Sequence, residues 1–292
     1  MPSRSSLSSG LSSGLSSGSS RVSSSSVSSS PVAPSAPAVP DAVVAALRAA
    51  GCVFAEAEAD LILAAAPTPD HATGMVERRA RGLPLELVVG WAEFSGRRII
   101  VAPGVFVPRR RTEFLVAQAL AQAPDASVVV DLCCGSGAVG VALAGGLGTV
   151  ELHAADIDPA AVRCARRNVA DLGGLVHTGD LFEALPGTVR GRVDVLAANV
   201  PYVPSDEIGL LPPEARDHEP RVALDGGADG LDVLRRVAAG APEWLAPGGR
   251  LLVETSRRQA PAAVAAFTGA GLRTRLAVSE EEYAHVVIGV RP

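Results

Sequence analysis

A four-residue motif, Asn199-Val200-Pro201-Tyr202, follows the apolar run at residues 193–198 and combines three groups suited to chemistry on a nitrogen atom. The side-chain oxygen of Asn199 and the backbone carbonyl of Val200 are two acceptors that can hold both N–H bonds of an NH2 group. The ring of Tyr202 can stack on the plane of that group and exclude water. A nitrogen held in this way faces an incoming electrophile. The motif therefore predicts an enzyme that alkylates an amide or amino nitrogen.

A glycine-rich stretch upstream is suited to hold a nucleotide-like methyl donor. Residues 131–137 read Asp-Leu-Cys-Cys-Gly-Ser-Gly, and the stretch from Gly135 to Gly140 matches the pattern G-x-G-x-x-G. Asp156 follows about twenty residues later, at the end of a predicted strand. Glycines let the backbone approach a ligand, a helix N-terminus offers N–H groups, and a carboxylate can accept both ribose hydroxyls. Taken alone, this pattern fits a nicotinamide cofactor and S-adenosylmethionine equally well.

A third stretch at residues 179–182 ends another predicted strand. Asp180 can accept hydrogen bonds from an adenine amino group and Leu181 can pack on the ring, although an Asp here also suits a helix N-cap. The motif at 199–202, taken in isolation, also fits a strand-terminating turn. All these motifs fall at the carboxyl ends of predicted strands, where open parallel sheets bind their ligands. Their shared position favours the ligand-binding interpretation.

Strands and helices alternate through the rest of the chain, which predicts a parallel sheet covered on both faces. The last two strands are joined only by residues 279–284, which is too short for a parallel crossover, so they should form an antiparallel hairpin. Strands are predicted at 128–131, 150–156, 175–178, 193–198, 250–254, 272–278 and 285–290, and helices at 112–122, 138–144, 159–172, 231–239 and 259–270.

The chain divides into four predicted segments: a disordered Ser/Pro-rich tail at 1–40, a small helical domain at 41–90, a β-hairpin linker at 91–108 and a catalytic domain at 109–292. The tail cannot bury enough apolar surface to offset its ordering entropy. In the helical domain, two helices are predicted between residues 41 and 66 and a third at 72–82. In the linker, strands at 98–101 and 105–107 would flank the turn at Pro103-Gly104.

Composition narrows the classes of function. The net charge is −5 and all 26 basic residues are Arg, which argues against broad nucleic-acid binding. The Arg109-Arg110-Arg111 cluster could touch a phosphate, although a solvated helix start is the simpler interpretation. We expect no metal and a reducing cytoplasm, because the four cysteines lack zinc-ligand spacing and Cys133 and Cys134, being adjacent, should not pair. No apolar run of about 20 residues predicts a membrane span.

With these motifs in place, the chain from about Asp41 to Pro292 resembles the HemK-type protein (glutamine-N5) methyltransferases. The likeness extends to two further segments, Val107-Pro108-Arg109 with Thr112-Glu113, and Glu219-Pro220 with residues 223–231. It implies an α/β, Rossmann-like, seven-stranded class I methyltransferase sheet, mostly parallel with an antiparallel C-terminal hairpin, preceded by a small helical domain that docks the substrate. Family members methylate a Gln side-chain amide in a peptide chain release factor or a ribosomal protein.

The resemblance also assigns site residues. Asn199, Val200, Pro201 and Tyr202 would form the catalytic motif, and S-adenosylmethionine would be held by Cys133, Cys134, Gly135, Ser136, Gly137, Asp156, Asp180, Leu181 and Asn199.

The sequence departs from the family pattern in three places. Val200 stands where the family usually has Pro, but Val carries the same backbone carbonyl, so we expect the chemistry to survive. Arg110 and Arg111 stand where the family has Pro and Glu, which reverses a charge. The N-terminal helical region is short.

Three other functions are compatible with parts of this pattern. A nucleic-acid methyltransferase for exocyclic amines would use the same motif at 199–202, but the acidic balance and the lack of a target-recognition insert disfavour it. A nicotinamide-dependent oxidoreductase would use the glycine-rich stretch, but the C-terminal hairpin disfavours it. Val200 and the triple Arg suggest a non-catalytic scaffold. The intact glycine-rich stretch at 131–137 (the donor motif) and the intact residues 199–202 (the acceptor motif) argue against it.

Overall fold

The computed structural model describes residues 39–292, so the predicted tail lies outside the described residues except for its last two, which belong to the first helix. The helices are α1 (Val39–Ala49), α2 (Ala55–Ala65), α3 (Pro69–Ala80), α4 (Leu85–Val89), α5 (Glu113–Gln122), α6 (Ala138–Leu147), α7 (Pro159–Val169), α8 (Pro213–His218), α9 (Arg221–Leu224), α10 (Asp232–Trp244) and α11 (Ala260–Gly269). The strands are β1 (Trp91–Phe94), β2 (Arg97–Ile100), β3 (Val128–Leu132), β4 (Glu151–Asp156), β5 (Leu175–Thr178), β6 (Val193–Ala198), β7 (Leu245–Thr255), β8 (Arg273–Ser279) and β9 (Ala284–Val290).

Seven strands form one sheet in the order β5-β4-β3-β6-β7-β9-β8. The pairs from β5 to β7 are parallel, whereas β9 is antiparallel to both β7 and β8. The predicted seven-stranded, mostly parallel sheet with a C-terminal antiparallel hairpin is therefore confirmed. The chain builds outward in one direction from β3 to β5 and in the other from β6, so the order reverses between β3 and β6. In such sheets the ligand crevice lies at this reversal.

The sheet is buried on both faces because helices cover each side. All five residues of β3 are buried, as expected for a central parallel strand. On one face, Leu234 of α10 and Phe267 of α11 belong to the core. On the other face, Leu115 of α5 and Leu143 of α6 fill the same role. This two-sided packing fixes the sheet as a rigid support for the loops at its carboxyl edge.

The N-terminal helices pack around a cluster of their own that includes Leu47, Ile62 and Met75. Helix α3 begins three residues before its predicted start, because the side chain of Thr68 caps it and accepts from the His71 N–H at 3.3 Å, and Pro69 occupies its first turn. Helix α4 was not predicted. None of the helices in residues 39–292 has the length and apolar character that a membrane crossing requires.

The hairpin is present, and the strand predicted at 98–101 corresponds to β2 with a shift of one residue, but the strand predicted at 105–107 and the turn at Pro103-Gly104 were wrong. The strands are β1 and β2, and the turn between them is Ser95-Gly96, with φ of 49° and 69°. Positive φ at both positions gives a two-residue turn whose twist matches that of the strands. Residues 105–107 form no strand. Val105 and Val107 are nevertheless buried, so their apolar character reflects packing of an irregular segment.

Candidate active site

The two predicted motifs leave the sheet side by side at the reversal point. Strands β3 and β6 are adjacent and parallel, with Leu132 opposite Ala198, so the segments after them emerge together. They line one cleft of about 1030 Å³. Every residue assigned to the site from the sequence lines this cleft except Gly137, and those that line it are Cys133, Cys134, Gly135, Ser136, Asp156, Asp180, Leu181, Asn199, Val200, Pro201 and Tyr202.

Gly137 lies where the loop packs against a neighbouring helix. It has φ of 79° and precedes α6, and a Cβ at this position would lie 3.2 Å from the Cβ of Ala165 on α7. A glycine here therefore allows α6 and α7 to approach closely. Cys133 also has positive φ, at 55°, a region that non-glycine residues seldom occupy. The backbone of this loop therefore adopts an uncommon conformation with positive φ at Cys133 and Gly137.

Two carboxyl groups lie beneath the glycine-rich loop. Asp131 is 1% exposed, and its Oδ2 accepts the Gly140 N–H at 2.8 Å. Burial raises the pKa of Asp131 to about 8, and the nearby charge of Asp156 adds to the rise. Burial also raises the pKa of Asp156, although the N–H groups of Asp158 and Gly135, which donate at 2.9 and 2.8 Å, oppose the effect. With a pKa of about 8, Asp131 is mainly protonated and neutral at neutral pH, so the two carboxyl groups do not bring two full negative charges to this end of the cleft.

The third predicted element is anchored to the neighbouring helix. Asp180 forms an ion pair with Arg236 of α10 through its Oδ2, at 2.7 Å. Leu181 is 9% exposed and has φ of 50°. Phe182 stacks on Trp244, with ring centroids 5.7 Å apart. These contacts fix Asp180 and Leu181 at the wall of the cleft.

The acceptor motif is tied to residues from two distant parts of the chain. The Tyr202 hydroxyl donates to Oε1 of Glu254 at 3.1 Å and accepts a hydrogen bond from the Arg111 guanidinium. Thr112 donates to Oε2 of Glu254 at 2.6 Å, and Nδ2 of Asn199 lies 3.5 Å from the Thr112 hydroxyl oxygen. Burial, followed by the charge of Glu254, raises the pKa of the Tyr202 hydroxyl, which keeps it protonated.

Sequence reasoning missed Glu254 and misjudged Arg111. Glu254 is 1% exposed and lies near the carboxyl end of β7, next to β6. A charged residue at the end of an otherwise apolar strand, Leu251-Leu252-Val253, was the available signal. From the sequence, Arg111 was part of a basic cluster that could touch a phosphate or be solvated, and a departure from the family pattern, whereas its Nε donates to Glu254 at 2.9 Å beside Tyr202. The charge reversal at this position therefore lies in the acceptor site.

The two segments that extended the family resemblance contact each other. Glu219 is 7% exposed and accepts from the Arg109 guanidinium at 2.6 and 2.7 Å and from the Val107 N–H at 3.2 Å. Farther along, the Nε2 of Gln259 donates to the backbone carbonyls of Tyr202 and Asp229, at 2.8 and 2.9 Å. The segment at 219–231 is thereby held against the acceptor motif.

Gly226 provides a test of this close contact. A Cβ at this position would lie 2.6 Å from the Gly230 carbonyl oxygen and 2.7 Å from that of Pro201. Because backbone atoms cannot move aside easily, Gly226→Ala should destabilise the fold by about 1–3 kcal/mol. Gly209→Ala is the matched control, since nothing lies within 4 Å of its Cβ position. Thermal unfolding of both variants measures the difference, and equal unfolding temperatures would contradict the packing described here.

Residues 39–292 contain no group of three or more His, Cys, Asp or Glu side chains arranged to hold a metal ion. All four cysteines are free thiols.

Comparison with known proteins gives consistent matches. Residues 96–208 match the family model described as Methyltransferase small domain. The chain is 42% identical to the release factor glutamine methyltransferase of Geobacter sulfurreducens over 68% of this chain and 69% of the relative. It is 37% identical to that of Mycolicibacterium smegmatis over 79% of this chain and 88% of the relative.

A relative named for a different substrate is similarly close. The 4-amino-L-phenylalanine/4-methylamino-L-phenylalanine methyltransferase of Streptomyces pristinaespiralis is 37% identical over 77% of this chain and 78% of the relative. Among solved structures, a methyltransferase from Pyrococcus furiosus superposes with a TM-score of 0.51 at 15% identity, covering 67% of this chain and 89% of that one. That likeness supports the methyltransferase fold. None of these proteins is an oxidoreductase.

Proposed function

The chain belongs to the release factor glutamine methyltransferase family, and we propose that it methylates the side-chain amide nitrogen of a Gln in a peptide chain release factor. One observation carries the proposal: the acceptor motif after β6 and the glycine-rich loop after β3 line the same cleft, on adjacent strands. This juxtaposition suits transfer from a bound donor to a nitrogen held beside it. A cytoplasmic role in translation follows from such a substrate.

S-adenosylmethionine is the methyl donor, and the residues present fit it. The carboxylate of Asp156 stands at the end of β4 beside the loop, where its remaining lone pairs can accept ribose hydroxyls. Asp180 keeps one oxygen outside its ion pair with Arg236, which an adenine amino group can reach, and Leu181 offers an apolar surface for the ring. Bound there, the donor supplies an electrophilic methyl group.

The acceptor residues would hold the Gln amide by its two N–H bonds. The Asn199 side-chain oxygen and the Val200 carbonyl are the proposed acceptors, with the ring of Tyr202 stacked on the amide plane. Acceptors placed around the nitrogen stabilise the positive charge that grows on it during transfer. Positioning of this kind contributes up to about 7–11 kcal/mol in favourable systems. We propose that the proton then leaves to water.

The helical region is the proposed docking surface for the release factor. Arg79 of α3 connects this region to the segment near the site, since it bonds Glu58 of α2 at 2.6 Å and Glu214 of α8 at 2.6 Å. A protein bound on the helices would therefore lie next to a segment that borders the cleft, of which Glu214 is part.

Mass spectrometry tests the substrate. The purified enzyme is incubated with S-adenosylmethionine and release factors from the same cell, and we expect the mass of one methylene group to be added to a single Gln. Parallel reactions contain ribosomal proteins, a nucleic acid with exposed adenines, and 4-amino-L-phenylalanine. Methylation of one of these in place of the release factor would overturn the proposed substrate.

The donor site gives a separate prediction. Asp156→Ala should weaken binding of S-adenosylmethionine by about 1–3 kcal/mol, because ribose hydroxyls would lose their charged acceptor. Asp171→Ala is the control, since Asp171 is exposed and does not line the cleft. Titration calorimetry measures both dissociation constants. Unchanged affinity in the Asp156 variant would refute its proposed role, and binding of NAD in place of S-adenosylmethionine would refute the donor.

A further inference from the structure

Glu254 is a buried carboxylate that receives three hydrogen bonds from side chains around the acceptor motif. Its Oε1 accepts from Arg111 Nε at 2.9 Å and from the Tyr202 hydroxyl at 3.1 Å. Its Oε2 accepts from the Thr112 hydroxyl at 2.6 Å. An ionised carboxylate can only accept, so every one of these partners must point its hydrogen at Glu254. The carboxylate therefore sets the direction of each bond.

Through Thr112, Glu254 also determines which end of the Asn199 side-chain amide faces the Thr112 hydroxyl. A hydroxyl has one hydrogen, and that of Thr112 is committed to Glu254, so toward Asn199 the hydroxyl oxygen can only accept. The Asn199 group that faces it must then be the NH2, in agreement with the 3.5 Å separation between Nδ2 and Oγ1. The Asn199 oxygen is consequently turned away from Thr112. An amide without such a neighbour can present either end.

Tyr202 is held by the same carboxylate. Its hydroxyl donates to Glu254 and accepts from Arg111, so the ring is fixed at its far end from two sides. The Arg111 guanidinium also supplies the positive charge that a carboxylate buried to this extent needs. The orientations of Asn199 and Tyr202 thus both depend on Glu254, which is about fifty positions away in the sequence.

We propose that Glu254 is a positioning residue that, through Thr112, orients the Asn199 amide with its oxygen toward the substrate nitrogen, while it holds Tyr202 directly. The proposal deepens the acceptor-site role of Asn199 and rests on the proposed function for its catalytic consequence. Arg111 balances the charge of Glu254.

Two asparagines in the chain, Asn168 and Asn199, make the orientation directly measurable. Nuclear magnetic resonance of protein labelled only in asparagine shows two side-chain NH2 groups. We expect Thr112→Val to shift the Asn199 resonances and speed their exchange with solvent. Glu254→Gln should shift the same resonances, because it changes the acceptor to which the Thr112 hydroxyl donates. Thr112→Ser keeps the hydroxyl and should resemble wild type, and Asn168 serves as the internal control.

The result of this measurement does not depend on the substrate. If Thr112→Val leaves both NH2 groups unchanged, no bond joins Thr112 to Asn199 and the proposal is overturned. If Thr112→Val shifts the Asn199 resonances and Glu254→Gln does not, the direction is not set by Glu254, which also overturns it. Should Glu254→Gln fail to fold, Glu254→Asp replaces it; a shorter carboxylate would lengthen the bond to Thr112 and should shift the same resonances.

Kinetics on the release factor provide the functional arm. Thr112→Val should lower kcat by about tenfold, with KM and the Kd for S-adenosylmethionine near wild type, and Thr112→Ser should restore it. Because Thr112 acts through Asn199, adding Thr112→Val to Asn199→Ala should slow the enzyme no further. Multiplied losses in the double variant would contradict this. A wild-type enzyme inactive on every release factor would refute the proposed function, while the resonance experiment would still decide the orientation.

Discussion

Replacing Asn199 by Ala is expected to lower kcat by about 10²–10³-fold while leaving the affinity for S-adenosylmethionine nearly unchanged. The side-chain oxygen of Asn199 would face the nitrogen on which positive charge develops, so its contribution grows as the reaction proceeds. An interaction of this kind acts on the rate more than on binding of the ground state. Because Asn199 follows the end of a strand, its side chain contributes little to the core, and the variant should remain folded.

Three measurements make this prediction specific: single-turnover methyl transfer to a release factor, calorimetric affinity for the donor, and the unfolding temperature. Gln118→Ala is the matched control, because it removes an amide from α5 outside the cleft. Its kcat should equal that of wild type. Turnover at the wild-type rate in Asn199→Ala would show that residues 199–202 form only a strand-terminating turn.

The sheet could be predicted because its strands are marked locally. Strands β5 and β6 have the bounds expected from the sequence, because a turn residue, Gly179 or Asn199, marks the end of each strand. The antiparallel pairing of the last two strands could be predicted because the connection between them is too short for a parallel crossover. For the N-terminal hairpin, the turn predicted at Pro103-Gly104 was wrong, because Ser95-Gly96 has the φ values that a two-residue hairpin needs.

The acceptor network could not be predicted in the same way. Its bonds join residues 91 and 142 positions apart, Arg111 with Tyr202 and Thr112 with Glu254. No periodicity or spacing specifies such pairs, which depend on the order of strands in the sheet. Once β7 is known to lie beside β6, a carboxylate near its carboxyl end must face the cleft or be buried next to it. The topology is therefore the information that the sequence patterns lacked.

The same reasoning bears on the charge reversal at Arg111. In isolation, Arg in place of Glu suggested a weakened site. In the structure, the guanidinium bonds Glu254 and Tyr202, so the substitution supplies a counter-charge to a carboxylate that would otherwise be buried without one. The departure is thus compatible with an intact acceptor motif, which removes one of the two reasons for considering a non-catalytic scaffold.

The other reason, Val200, leads to the second large effect, a contrast between two neighbouring substitutions. Tyr202→Ala should reduce kcat by at least about 10²-fold, because it removes the stacking surface and the hydroxyl that joins Arg111 to Glu254, and lets water into the site. Val200→Pro should keep kcat within about tenfold. The carbonyl of residue 200 remains, and a proline ring fixes φ near about −65° without requiring the side chain to reach substrate.

The Val200 side chain supports this asymmetry, since it is 1% exposed and packs in the core beneath the sheet edge. Pro has nearly the same apolar volume as Val, so the packing should be kept. The backbone carbonyl, which is the group proposed to bind the substrate amide, is also kept. Both variants are compared with wild type on release factors by single-turnover methyl transfer, with unfolding temperatures to separate packing from chemistry. If Val200→Pro abolished transfer in a stably folded protein while Tyr202→Ala did not, the N–H or side chain of Val200 would be the active group, and two acceptors holding the amide would be the wrong mechanism.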